Sequence, residues 1–184
     1  MFRWRNFTNI IRFVAWYLPQ SRDDMTFPTP ARNYLLKALA ATPDILERLL
    51  IGRGSDDPIW DRSPDPIRFT LREMVAHLAD WEPIWTERFV RTRDESRPFL
   101  PSIDEGQLAA ARDYSHQDPI PNLARFRAGR QELVKVLDGL SNTDWDRVCE
   151  REFVGPLTLQ MMATFVLSHD GYHLQQVVQW LSSN

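Results

Sequence analysis

Cysteine is nearly absent from this chain, with one residue, Cys149, in 184. A lone cysteine excludes an internal disulfide and any metal knuckle built from paired thiolates, and it suits a reducing compartment, so a cytoplasmic protein is expected. Lysine is almost as scarce, at Lys37 and Lys135 only, which leaves arginine to carry nearly all the basic charge. Charge of one sign is lacking too. With 22 basic and 25 acidic residues the formal net charge is -3, so there is no cationic field to hold a nucleic-acid backbone or an anionic membrane. Glycine is limited to seven residues, and none forms a phosphate-cradling loop.

Long apolar runs are missing as well. The densest stretch is residues 1–24, where Phe2, Trp4, Phe7, Ile10, Ile11, Phe13, Val14, Trp16, Tyr17 and Leu18 accompany Arg3, Arg5 and Arg12. Arg12 breaks the run well short of the roughly 20 residues a membrane span needs, and no small-residue cleavage site follows. Residues 1–24 read as an amphipathic or upstream extension outside the core, and residues 25–184 as one domain.

What is present is a core. The hydrophobic fraction of 43% and aromatic fraction of 11% belong to a globular chain rather than a disordered one. The long periodic segments repeat near 3.6 residues rather than 2, which predicts an all-α fold. The first helix is expected over about Pro30 to Leu50, with Thr42-Pro43 as a kink or a fresh N-cap. Thr70-Leu71-Arg72-Glu73 is a capping box that opens a second helix running to about Val90, bent at Pro83. A third is expected over about Pro121 to Leu140, and a fourth from a Thr158 N-cap to about Leu181. The link from about Arg93 to Asp118 is far longer than the roughly two to eight residues of an antiparallel helix hairpin. It predicts a crossover, and so a four-helix bundle in the order up, down, down, up.

Chemistry concentrates on the fourth helix, where Leu159, Met162, Val166, His169, His173, Gln176 and Trp180 follow at spacings of three and four. That spacing is the inward seam of a bundle helix. Two imidazoles there cost on the order of 1 to 3 kcal/mol each unless something satisfies them. Residues four apart stand about 6 Å apart on one face, so both rings can reach one ion at about 2.0 to 2.1 Å. Backbone carbonyls could also satisfy them as ordinary core histidines. On the second helix Met74, His77, Trp81 and Ile84 form a matching stripe, which makes His77 a candidate third ligand. His116 lies in the polar link Tyr114-Ser115-His116-Gln117-Asp118 and is excluded.

Three neutral histidines would leave coordination positions open, as in catalytic rather than structural zinc sites. Asp80, three residues after His77, and Asp170, beside His169, are candidate acceptors for ring N–H groups and the nearest candidate bases. Surface solvation accounts for those two equally well. Trp81 and Trp85 are candidates to line an apolar pocket or simply to fill core. Arg130 falls on the seam of the third helix between Phe126 and Leu133. Its stem could pack while its head meets an acidic neighbour. Cys149 stands beside Glu150 and Glu152, which would raise its pKa rather than activate it.

Thr70-Leu71-Arg72-Glu73 leading to Ala76-His77-Leu78-Ala79-Asp80, with Gly155-Pro156-Leu157-Thr158-Leu159 and His169-Asp170-Gly171-Tyr172-His173-Leu174-Gln175-Gln176 far downstream, resembles the DinB-like superfamily. The likeness covers roughly residues 29 to 182. It implies a metal-binding four-helix bundle whose ligands are His77, His169 and His173, holding one divalent ion such as zinc, nickel or iron, and often a homodimer. It also implies a small-molecule substrate and, first among activities, transfer of a low-molecular-weight thiol to an electrophile through a metal-bound thiolate. Arg130 could supply the cationic anchor that such a thiol co-substrate needs. The alternatives are a metal-dependent hydrolase and a non-catalytic metal or small-molecule binding protein.

Overall fold

Local hydrogen bonding fixes where the helices begin. In the computed structural model, which describes residues 29–182, the Thr70 hydroxyl accepts the Glu73 N–H and the Glu73 carboxylate accepts the Thr70 N–H, at 3.2 and 2.9 Å. This reciprocal cap opens helix α2, Leu71–Asp94. The Thr158 hydroxyl accepts the Met161 N–H at 3.1 Å and starts α5, Leu159–Ser182. Asp118 accepts the Ile120 N–H, so α4 spans Pro119–Asp138, beginning two residues before the expected Pro121. The boundary expected after residue 24, and the segment before it, lie outside the described residues.

Helix α1, Thr29–Leu49, runs unbroken through Pro43, which corrects the expectation of a fresh cap at Thr42. Proline has no N–H, so the carbonyl four residues back is left without its helical donor. That carbonyl, of Leu39, accepts instead from Arg130 on α4 at 3.0 Å. The defect in one helix thus becomes a point of attachment for another.

The crossover between α2 and α4 is not structureless. It carries strand β1 (Phe99–Leu100), the short helix α3 (Glu105–Ala111) and a 3-10 turn at Tyr114–His116. After α4 come β2 (Val148–Arg151) and β3 (Gly155–Thr158), giving a small sheet in the order β1-β2-β3. β1 lies parallel to β2, and β2 antiparallel to β3. This sheet departs from a purely helical reading. The chain remains mostly helical all the same.

Around the bundle α2 packs on α4, α4 on α1, α1 on α5 and α5 on α2. Two apolar clusters fill its ends. One gathers Leu35 and Leu39 of α1, Trp81, Trp85 and Phe89 of α2, Leu133 and Leu137 of α4, and Leu159 to Val166 of α5. The other gathers Leu46 and Leu50, Leu71 to Ala79, Phe126, and Val177 and Trp180. Where the two clusters meet, each helix buries polar residues: Thr42 on α1, His77, Asp80 and Glu82 on α2, Arg130 on α4, and His169, Asp170, His173 and Gln176 on α5. No helix among the described residues is long and apolar enough to cross a membrane.

Candidate metal centre

The helical seam brings His77 from α2 to His169 and His173 from α5. Nε2 of His169 lies 3.0 Å from Nε2 of His77 and 3.2 Å from Nε2 of His173. The rings are buried, at 0, 6 and 5% exposure for His77, His169 and His173. Burial, with the charge the neighbouring rings would carry, holds His77 and His173 well below the ordinary histidine range. Both are therefore neutral, which is the form that ligates a metal.

The tautomer of His173 follows from its neighbour. Gln176 donates its amide N–H to the Phe69 carbonyl at 2.8 Å, which turns its oxygen toward His173 Nδ1 at 3.2 Å. Nδ1 must then carry the proton, so Nε2 presents a lone pair to the other two rings. Among the described residues, no group other than the rings themselves lies within hydrogen-bond reach of the three Nε2 atoms. The three residues offer ligand atoms within 4.8 Å of one another, and nitrogens about 2.0 Å from a tetrahedral ion stand roughly 3.3 Å apart. The donor set therefore fits a divalent ion.

The other half of the buried polar layer bears on that fit. Arg130 donates to both oxygens of Glu82, at 3.0 and 2.7 Å, and to both oxygens of Asp170. Thr42 adds a hydrogen bond to Asp170 at 3.0 Å. Burial works against the Arg130 charge, but the two carboxylates more than offset it and raise its pKa. One more carboxylate than guanidinium is present, and that balance favours a cation nearby. Close helix approach makes the network possible: a Cβ at Gly129 would lie 2.5 Å from Cβ of Glu82.

These contacts show where the other candidate residues lie. Arg130 is 1% exposed, and its guanidinium nitrogens all donate within the protein, to Glu82, Asp170 and the Leu39 carbonyl. Asp170 is likewise committed; its Oδ1 lies 3.9 Å from His169 Nδ1, an electrostatic approach rather than a hydrogen bond, and it is not available as a base. Burial would raise its pKa, but His169 and Arg130 hold it below the usual carboxylate range. Asp80 pairs with Arg125 through Oδ1, and His77 Nδ1 has no hydrogen-bond partner, so Asp80 does not orient that ring. Trp81 and Trp85 do border the rings, each with its centroid 6.2 Å from that of His169. His116 is exposed and pairs with Asp113. Cys149 is buried, and burial, rather than its acidic neighbours, pushes its thiol up.

Sequence reasoning missed Glu82, Arg88, Glu105 and Tyr114. Of eight buried side-chain nitrogens and oxygens without a hydrogen-bond partner among the described residues, six belong to His77, Asp80, Trp81, Arg88, Tyr114 and His169. Unsatisfied groups are rare in native interiors, so their concentration at the site marks where water or ligand belongs. Glu105, on the crossover, has its carboxyl pushed up by burial while the charge of His169 opposes that rise. The signal for Tyr114 was an aromatic inside an otherwise polar link.

A helical bundle that gathers imidazoles from two helices at a buried point has the form of a metal-binding helical protein. The family model of the DinB superfamily matches residues 34–177, and the chain belongs to that superfamily. The solved structure of YfiT from Bacillus subtilis is similar, with a TM-score of 0.78 and 18% identity, over 89% of this chain and 93% of that one. YfiT is described as a probable metal-dependent hydrolase with an unusual four-helix bundle topology. At that identity the likeness establishes the shared fold. No curated protein matches the chain in sequence.

Proposed function

We propose that this chain is a metal-dependent enzyme that hydrolyses an ester or amide bond in a small molecule. One observation carries the reading: three ligating nitrogens converge at one buried point, and the group contains no fourth side-chain ligand among the described residues. Structural zinc sites close with four protein ligands, whereas three leave a position for chemistry. A divalent ion held by His77, His169 and His173, with zinc, nickel and iron all suited to imidazole, would supply the Lewis acidity that makes water or a thiol nucleophilic near neutral pH.

The chain's own residues supply the rest. Gln176 locks the His173 tautomer, and the Arg130 network holds α2, α4 and α5 in register behind the rings. Trp81 and Trp85 wall one side and exclude water, which strengthens electrostatic interactions inside. Glu105, and Asp80 between Arg125 and Tyr114, are the acids that remain to take up a proton. The description of YfiT as a probable metal-dependent hydrolase supports the same reading.

Transfer of a low-molecular-weight thiol to an electrophile is the second reading. It is favoured because, among the described residues, no carboxylate accepts a hydrogen bond from the three rings, and an ion lowers a bound thiol's pKa enough for its proton to pass to water without a dedicated base. A homodimer, which rests on the family resemblance, and a cytoplasmic location, which rests on the single cysteine, belong to the same proposal. The test is protein purified without an affinity tag, loaded with each metal, and assayed against p-nitrophenyl esters and against thiol plus 1-chloro-2,4-dinitrobenzene. Metal-dependent ester turnover that is lost in His173→Ala is the expected result. Thiol consumption without ester turnover would establish the second reading. Bound metal with neither activity would overturn both and leave a binding protein.

A further inference from the structure

Beside the histidines lies a group of donors without an acceptor. Arg88, about three turns beyond His77 on α2, is 3% exposed, and its Nη1 is buried without a hydrogen-bond partner. Its guanidinium carbon sits 5.1 Å from the ring centroid of Trp81 and 5.2 Å from that of Trp85. Trp81 Nε1 is also buried and unpartnered. Since both indoles border His169, these donors and the histidines share a wall.

Arg151, half-buried on β2, brings a second guanidinium. Arg88 Nη2 and Arg151 Nη1 both donate to the Pro101 carbonyl, at 3.0 and 2.6 Å, and Arg151 Nη1 also reaches the Leu100 carbonyl and the Ser102 hydroxyl. Every one of those acceptors is uncharged. Strapping the crossover to the bundle accounts for these bonds but leaves Arg88 Nη1 and Trp81 Nε1 unexplained. Burial and the like charge of Arg151 push Arg88 down to about 10, so it still carries its proton near neutral pH. A buried cation stacked on two indoles, with one nitrogen left without a partner, calls for an anionic acceptor, and a carboxylate matches the planar fork of a guanidinium.

The geometry points to a carboxylate subsite at Arg88, with Arg151 behind it, that takes one end of the substrate while its apolar body lies along the Trp81 and Trp85 indoles toward the histidines. The substrate class is therefore an aryl or alkyl carboxylic acid with its reactive bond at the far end. The direction in which it runs rests on the proposed metal centre; the anion subsite itself does not.

Calorimetric titration of the full, zinc-loaded chain with 4-phenylbutyrate and with its neutral amide tests this. The acid is expected to bind about tenfold or more tightly than the amide, as a charge-assisted pair would give. The preference should vanish in Arg88→Gln with zinc content and circular dichroism unchanged, and should weaken in Arg151→Gln, which decides the matter if the first variant does not fold. Equal affinities, no binding of either probe, or a preference that persists in the folded variants would overturn the subsite, the last by placing the carboxylate on the ion. Zinc content of the same samples separates the two ideas. Full zinc without acid preference removes the subsite and leaves the centre, whereas acid preference without zinc does the reverse.

Discussion

The buried polar layer of this bundle has two halves, and they resolve burial in opposite ways. In the Arg130 half the charged groups bond to one another: Glu82 and Asp170 each accept two guanidinium N–H groups, and Leu39 and Thr42 complete the set. In the histidine half three nitrogens face one another, and two of the three Nδ1 atoms have no partner. Both halves come from the same helices, and Asp170 of one directly follows His169 of the other. The first is a finished lock and the second is an unfinished shell, so removing a residue should cost stability in the one and ligand in the other.

The largest expected effect lies in the lock. Arg130→Met would leave two buried carboxylates without a counter-ion and cost about 3 to 5 kcal/mol, measured by urea unfolding. A loss below about 1 kcal/mol would show that the network is not a lock. Next is the response to metal. Adding zinc at about a hundred times its dissociation constant should stabilise the wild type by about 2.7 kcal/mol, and a thermal melt should show no such gain in His173→Ala. Gly129→Ala comes third, at about 1 to 3 kcal/mol, because its methyl meets Glu82 at the helix crossing.

Much of the fold could be read from residues whose signals are local. Thr70 and Glu73 announce a helix start within four residues, and the three-four spacing from Leu159 to Trp180 places His169 and His173 inward before any partner is known. Arg130 could be placed on the inward seam for the same reason. Its partners could not, since Glu82 and Asp170 stand 48 and 40 residues away, and a glutamate preceding Pro83 reads as surface. The sheet was illegible because strands of two to four residues, with Pro98 and Pro101 on either side of β1 and Pro156 inside β3, show no alternation. Arg88 escaped notice because an arginine near a helix end ordinarily faces solvent.

Acid sharpens the comparison further. His77 and His173 are held well below 6.5 in the folded chain, so on acidification the unfolded chain takes up protons first. Stability from their neutral rings is complete above about that pH and is lost as the pH falls toward their lower folded values. Urea midpoints of metal-free protein at pH 7.5 and 5.5 should show the fall, and His77→Gln should reduce it. The smallest effect is at His116, which lies in neither half; His116→Ala should leave metal content unchanged by elemental analysis.

The central claim is that one residue on α2 and two on α5 hold a single ion. Metal stoichiometry of tag-free His77→Ala beside the wild type tests it most directly, because His77 is the ligand contributed by a separate helix. The account predicts one ion per wild-type chain, and in the variant a correctly folded bundle that loses its metal on dialysis. A variant that keeps a full equivalent of metal, or a wild type that binds none of zinc, nickel or iron, would contradict it.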